Sequence, residues 1–354
     1  MKLLVAVSHH GLGHLAQTAP VLNALLDLQP PSSLTLWSGL ARAALQARLR
    51  MPFSHREAPA DIGLAMLDAV NVDIASSHAA YQAFHRHWEK RVDEEAAWLE
   101  AQGFDGVLSD VAYLPLAAAA RAGIPAVAMC SLNWRDIAAA YLSGYADIEP
   151  ALEQMHLAYQ GARAFLRLTP AMPMDWLHNR TDIPPVAAKG MLRREQLARQ
   201  LGIEPSHWVL VGFGGIAYRN IGRLPELPGV TWIVPDDWGA GRADLITLGA
   251  TGMPFIDLLA SCDALLTKVG YGGFVEAAAH GIPVLYIDRP DWPETPYLTT
   301  WLAHHGHCAA ITEDILFSPA IGERLERLWA MPARTPIHAE GAPIAARCLG
   351  ELLA

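Results

Sequence analysis

Leu3-Leu4-Val5-Ala6-Val7-Ser8-His9-His10-Gly11-Leu12-Gly13-His14-Leu15-Ala16-Gln17 runs from a five-residue apolar segment through a glycine turn into a helical pattern. A buried parallel strand feeding a helix in this way is the opening unit of a doubly wound α/β domain. The turn delivers His14 to the ligand-facing end of the strand. There an imidazole of ordinary pKa about 6.5 accepts a proton near neutrality, beside backbone N–H groups that the first helical turn leaves free. A histidine at such a turn can also simply cap or pack. The turn is not the spaced Gly-x-Gly-x-x-Gly of dinucleotide folds, and it lacks the Lys-Ser/Thr ending of a Walker loop.

Outward from this turn, apolar runs at 34–37, 106–109 and 126–130 alternate with helical patterns. Residues 1–168 therefore read as one Rossmann-like domain. Pro170, Pro173, Pro184 and Pro185 make 169–195 an extended linker. A second alternation, with strands expected at 208–212, 231–234, 264–267 and 284–287, gives a second Rossmann-like domain over 196–335. Residues 336–354 form a C-terminal helix expected to pack back on the first domain. Two such domains face each other across a cleft lined by the C-terminal ends of both sheets, where ligands of this fold class bind.

Composition narrows the partners. The 354 residues are 52% hydrophobic and 18% charged, with a net charge of -10 and no Lys/Arg cluster, which argues against nucleic acid as the ligand. Met1-Lys2 leads directly into the first strand, with no signal-peptide core and no apolar run long enough to span a bilayer. Cys130, Cys262, Cys308 and Cys348 lie far apart, as expected of reduced thiols in a cytoplasmic protein. The Asn179-Arg180-Thr181 sequon is then incidental. His304, His305, His307 and Cys308 crowd together without metal-ligand spacing, so no metal is expected there. Residues 78–102 read as one long amphipathic helix, packed by Tyr81, Phe84, Trp88, Trp98 and Leu99, whose mixed charges give little attraction to an anionic membrane.

A second glycine cluster complements the first. Phe213-Gly214-Gly215 follows the 208–212 strand, reading equally as an ordinary turn or as one open to a phosphate. Further on, Thr267-Lys268-Val269-Gly270-Tyr271-Gly272-Gly273-Phe274-Val275-Glu276 reads as a strand end, a bend and a helix beginning at about Gly273. The positive end of that helix faces the cleft and suits a diphosphate, with Lys268 beside it and Glu276 placed to accept from two vicinal hydroxyls. The plainer alternatives are a solvated Lys268 and a Glu276 that only complements the helix dipole.

With His14 in a His-Gly-x-Gly-His turn and Glu276 in Gly-Tyr-Gly-x-x-x-Glu, the chain resembles nucleotide-sugar glycosyltransferases of the GT-B fold. Within them it is similar to the glycosyltransferase-like N-terminal part of plant-type L-arabinokinases and their free-standing bacterial relatives. The likeness runs from His10 to about Leu302, through Ser109-Asp110-Val111, Asn133-Trp134, Phe213-Gly214-Gly215, Asp263-x-x-Leu266-x-Lys268-x-Gly270-Tyr271-Gly272, Glu276, Pro283, Arg289 and Glu294 with Pro296. The chain ends at Ala354 without room for a kinase portion, so only the glycosyltransferase-like half is implied.

That resemblance implies an inverting transfer from a nucleotide-sugar, a UDP-sugar above all, with no further cofactor. His14 would be the base and Asp110 its partner, although Asp110 can equally be read as the N-cap of the helix that follows it. The acceptor side would hold His10, Gly13, Asn133 and Trp134, Trp134 being as readily a core residue. The donor side would hold Gly214, Gly215, Phe255, Lys268, Gly270, Tyr271, Gly272, Gly273, Glu276, Asp291 and Glu294. Asp291 and Glu294 stand where many relatives carry an Asp-Gln or Gln pair, and Phe255 can equally be a core residue of its helix. A nucleotide-sugar epimerase or hydrolase, or a non-catalytic nucleotide-sugar-binding module, stays open as an alternative.

Overall fold

Two parallel sheets carry the molecule, seen in a computed structural model that describes residues 1–203, 206–215, 223–238 and 241–353. The first sheet is built from β1 (Lys2–Val7), β2 (Ser33–Ser38), β3 (Ser54–Glu57), β4 (Gly106–Asp110), β5 (Ala126–Cys130), β6 (Ala164–Leu168) and β7 (Arg180–Ile183). Their order is β3-β2-β1-β4-β5-β6-β7. The second holds β8 (His207–Gly212), β9 (Val230–Val234), β10 (Leu245–Thr247), β11 (Ala264–Lys268), β12 (Val284–Ile287) and β13 (Cys308–Ile311), in the order β10-β9-β8-β11-β12-β13. Both are all-parallel and covered by helices, which is why β1, β5 and β8 read as near-continuous apolar runs.

In each sheet the strand order reverses beside the first strand, between β1 and β4 and between β8 and β11. Crossovers leave those two positions in opposite directions and open a crevice at the strand ends. The pairing of Val7 with Asp110 sets the glycine turn after β1 beside the end of β4, and that of Thr267 with Gly212 does the same for β8 and β11.

The expected linker is not wholly extended. Within 169–195 the short strand β7 joins the edge of the first sheet, pairing Phe165 with Arg180 through Leu168 with Ile183. Its polar Arg-Thr-Asp-Ile sequence suits an edge strand with one solvated face. The expected 78–102 helix is two, Ile74–His85 and Trp88–Gln102. The break between them lets the first pack near Trp134–Leu142 and Glu149–Gln160 while the second follows Tyr113–Arg121, and it buries both Tyr81 and Trp88.

The helix Gly341–Leu352 lies on Gly13–Leu28 and touches β6 and β7 of the first sheet. Gly341 donates its N–H to Pro185 O at 3.0 Å. One apolar core runs continuously from Val7 and Leu15 through Ala345 and Leu349 to Tyr271 and Phe274, so the two halves share a packed seam. No helix among the described residues is long and apolar enough to cross a membrane.

Candidate active site

A cleft of 380 Å³ lies along that seam, lined from one side by His10, Gly13 and His14 and from the other by Gly214, Gly215, Lys268 and the start of the helix Tyr271–His280. The two glycine turns touch directly, since Leu12 N–H donates to Gly214 O at 2.7 Å. Gly215 has φ +80°, and a Cβ there would fall 2.8 Å from the Leu12 side chain, so this approach requires glycine. A Cβ on Gly272 would lie 2.7 Å from Ala16 Cβ, which brings the helices Gly13–Leu28 and Tyr271–His280 as near as their backbones allow.

His14 is 5% exposed and Asp110 is fully buried behind it. His14 Nδ1 lies 3.0 Å from Asp110 Oδ1. A carboxylate only accepts, so Nδ1 carries the proton and Nε2 keeps its lone pair. Burial by itself lowers the His14 pKa, but the hydrogen bond it donates to Asp110 and the negative charges of Asp110, Asp61 and Glu294 outweigh it and hold the group above 6.5. Thr18 Oγ1 donates to the other Asp110 oxygen at 2.6 Å. Asp110 caps no helix: the N-cap of Tyr113–Arg121 is Ala112. Val111, immediately after Asp110, has φ +59°, a left-handed conformation that is costly for a β-branched residue, and Tyr159 O–H bonds its carbonyl at 2.7 Å.

Opposite, Gly270 is the N-cap of Tyr271–His280, which begins two residues before the expected Gly273. Its first N–H groups have no side-chain partner from the cap. Lys268 Cε lies 3.7 Å from where a Gly214 Cβ would stand. Burial first, then the charge of Arg289, push Lys268 down to about 7, against the pull of Glu294. Glu276, 1% exposed, faces the cleft and is paired with Arg48 at 2.7 Å. Phe255 lies over Gly212, where a Cβ would meet its ring at 2.9 Å, and lines the cleft.

Some expected residues lie elsewhere. Asn133 is fully buried as the N-cap of Trp134–Leu142, accepting from Asp136 N–H at 2.8 Å. Trp134 is fully buried, donates from Nε1 to Asp61 Oδ2 at 2.7 Å and packs edge-on beneath His10. Neither lines the cleft, because the chain turns inward after β5. Asp291 is exposed outside it, while Glu294 three residues on is 4% exposed and accepts from Ser131 Oγ at 2.6 Å. Tyr271 spends its hydroxyl on Thr169 O and Val186 N–H, tying the 169–195 segment to the second sheet. His304, His305, His307 and Cys308 form no cluster. Among the described residues the one close His/Cys/Asp/Glu group is His14, Asp110 and Cys130.

The structure adds residues that the sequence reading left without a role. Arg48 follows a short helix with nothing in its neighbourhood to mark it, and only folding sets it against Glu276. Gln17, one helical turn from His14, exchanges two hydrogen bonds with Ser131 and so reaches Glu294. Its spacing from His14 was a usable signal. Trp292, 5% exposed, stacks parallel to His10 at 6.0 Å and lies 4.3 Å from the Arg289 guanidinium.

No family model matches the chain. The L-arabinokinase of Arabidopsis thaliana is 26% identical over 310 residues, 84% of this chain. The chain spans 29% of that protein's length. Among solved structures, the spinosyn forosaminyltransferase SpnP superimposes with a TM-score of 0.59 at 16% identity, covering 99% of this chain and 95% of its own. UGT89C1 of Arabidopsis thaliana, complexed with UDP, gives 0.57 at 12% identity over the whole of both chains. The chain has the GT-B glycosyltransferase fold.

Proposed function

We propose that this protein is an inverting glycosyltransferase that moves a sugar from a nucleotide-sugar, a UDP-sugar foremost, to an acceptor hydroxyl or amine. The observation that carries the reading is the buried His14–Asp110 pair set opposite the helix start at Gly270 across a single cleft. In this reading the acceptor's proton passes to His14 Nε2 and its oxygen or nitrogen forms a bond to the anomeric carbon. The bond from that carbon to the diphosphate oxygen breaks, and its electron pair leaves with the nucleoside diphosphate. Asp110 stabilises the imidazolium so formed.

The departing charge is met by Lys268 and by the free amides and dipole of Tyr271–His280, so the reading calls for no divalent ion. Glu276 takes the ribose hydroxyls, Gly214 and Gly215 admit the phosphates, and Glu294 meets the sugar. His10 and Gly13 belong to the acceptor side. The UDP bound by UGT89C1 supports this choice of nucleotide. Four unpaired cysteines support a cytoplasmic location.

Calorimetric titration with UDP, GDP and dTDP tests the donor half: selective binding of UDP is expected, weakened at least about tenfold in Glu276→Ala. His14→Ala should bind UDP as the wild type does and lose at least about a hundredfold in turnover. Indifference of turnover to His14 would overturn the catalytic reading.

A further inference from the structure

Arg289 is the residue of the cleft whose chemistry is least used by the protein itself. It stands just after β12, is 5% exposed, and shares its loop with Trp292 and Glu294. Its Nε reaches Val70 O at 3.3 Å. Its Nη2 is buried with no hydrogen-bond partner among the described residues. A guanidinium taken out of water with unused N–H groups is costly unless an oxyanion completes it.

Tyr141, Glu294 and Asp68 pull on the Arg289 charge from around it, yet none of them bonds its Nη2. Glu276 is taken by Arg48 and Asp110 by His14 and Thr18, while Glu294 accepts from Ser131 and, at 3.4 Å, from Trp292 Nε1. Lys268 is a second buried cation nearby without an ion-pair partner among the described residues, and the charge of Arg289 lowers its readiness to hold a proton. The proposed diphosphate accounts for Lys268, the last residue of β11, beside the helix start. Arg289 belongs to the next loop across the sheet, with Glu294, on the side of the sugar.

Resting on the nucleotide-sugar reading, we infer that the donor sugar is a uronic acid, whose carboxylate is taken by the unpartnered edge of Arg289 while Glu294 accepts from a ring hydroxyl. The planar fork of arginine matches a carboxylate through two parallel N–H···O bonds, a recognition that neutral hexoses cannot supply. Trp292 beneath the guanidinium fixes its plane.

The test is calorimetric titration of the full chain with UDP, UDP-glucose, UDP-galactose and the two corresponding uronates. At least one uronate should bind about tenfold or more tightly than its neutral counterpart, as a charge-assisted pair implies. In Arg289→Gln that ratio should fall to about one with UDP affinity held, and Arg289→Lys should retain part of it. Equal binding of uronates and neutral sugars by the wild type overturns the inference and leaves the nucleotide reading standing. Loss of UDP affinity in Arg289→Gln also overturns it, by assigning Arg289 to the diphosphate. Failure of UDP itself to bind overturns both. Should Arg289→Gln not fold, the wild-type ratio and the lysine variant still decide.

Discussion

Arg48 Nη1 lies 2.7 Å from Glu276 Oε1, an ion pair between the half of the molecule built on the first sheet and the half built on the second. The Glu276 side chain is 2% exposed and that of Arg48 19%, so water screens the pair little. Removing one partner leaves a charge buried and alone. Arg48→Ala should lower the unfolding free energy by about 3 kcal/mol in urea titration. The double variant Arg48→Met with Glu276→Met should be less destabilised than the two single losses added together, the signature of direct coupling. Strict additivity would dissolve the pair.

His14 fixes a pH dependence. Its folded pKa is raised above 6.5, and the base needs an unprotonated Nε2, so turnover should rise with pH around a midpoint above 6.5. In Asp110→Asn the hydrogen bond to an anion and the nearest charge are gone while burial remains, so the midpoint should move down. The stability that the pair contributes runs the other way. It is fully present below about 6.5 and lost as pH rises through the folded value. A turnover profile in Asp110→Asn with the wild-type midpoint would contradict this assignment.

Lys268 predicts proton uptake. At about 7 it is mostly neutral in the free protein at pH 8.5. A diphosphate beside it favours the ammonium, so its pKa climbs and UDP binding at pH 8.5 should take up approaching one proton. Calorimetry in buffers of different ionisation heat measures this directly. The uptake should vanish in Lys268→Met, and zero uptake in the wild type would detach Lys268 from the ligand.

Gly272→Ala is expected to cost about 1–3 kcal/mol, the range for overpacking, because its new methyl meets Ala16 Cβ at 2.7 Å. Ala16→Gly in the same chain should restore much of the loss. If the partner substitution gives no rescue in thermal or urea unfolding, the close approach of these two helices is not the cause.

The sequence made the skeleton of the cleft legible where strong local signals coincide with topology. The apolar run before Gly11 and that before Gly270 could only be buried strands, and the turns after them had to emerge at ligand-facing ends. The pairing of Asp110 with His14 is legible through the family resemblance and the place of both at strand ends, while the adjacency of their two strands is given by the fold. What stayed hidden lacks any local mark. β7 is four residues of mixed polarity among prolines, and Arg48 gains its partner across 228 positions of chain. Trp134 was ambiguous because an indole suits a ligand wall or a core equally, and the buried carboxylate of Asp61 that decides the matter lies 73 positions away. Asp291 and Glu294 differ by three residues in a loop without periodicity, which gives no means of telling which turns inward.

The near contact of Gly272 with Ala16 also restricts how the cleft can admit a ligand. Two helices meeting at bare backbone have no side-chain ridge on which to slide, and lateral travel would drive Ala16 into the flanking turns of its neighbour. Any widening of the cleft would therefore have to lift these two helices apart rather than slide them along each other. Such a separation would also break the Leu12–Gly214 backbone hydrogen bond, so the two glycine turns would part in the same step.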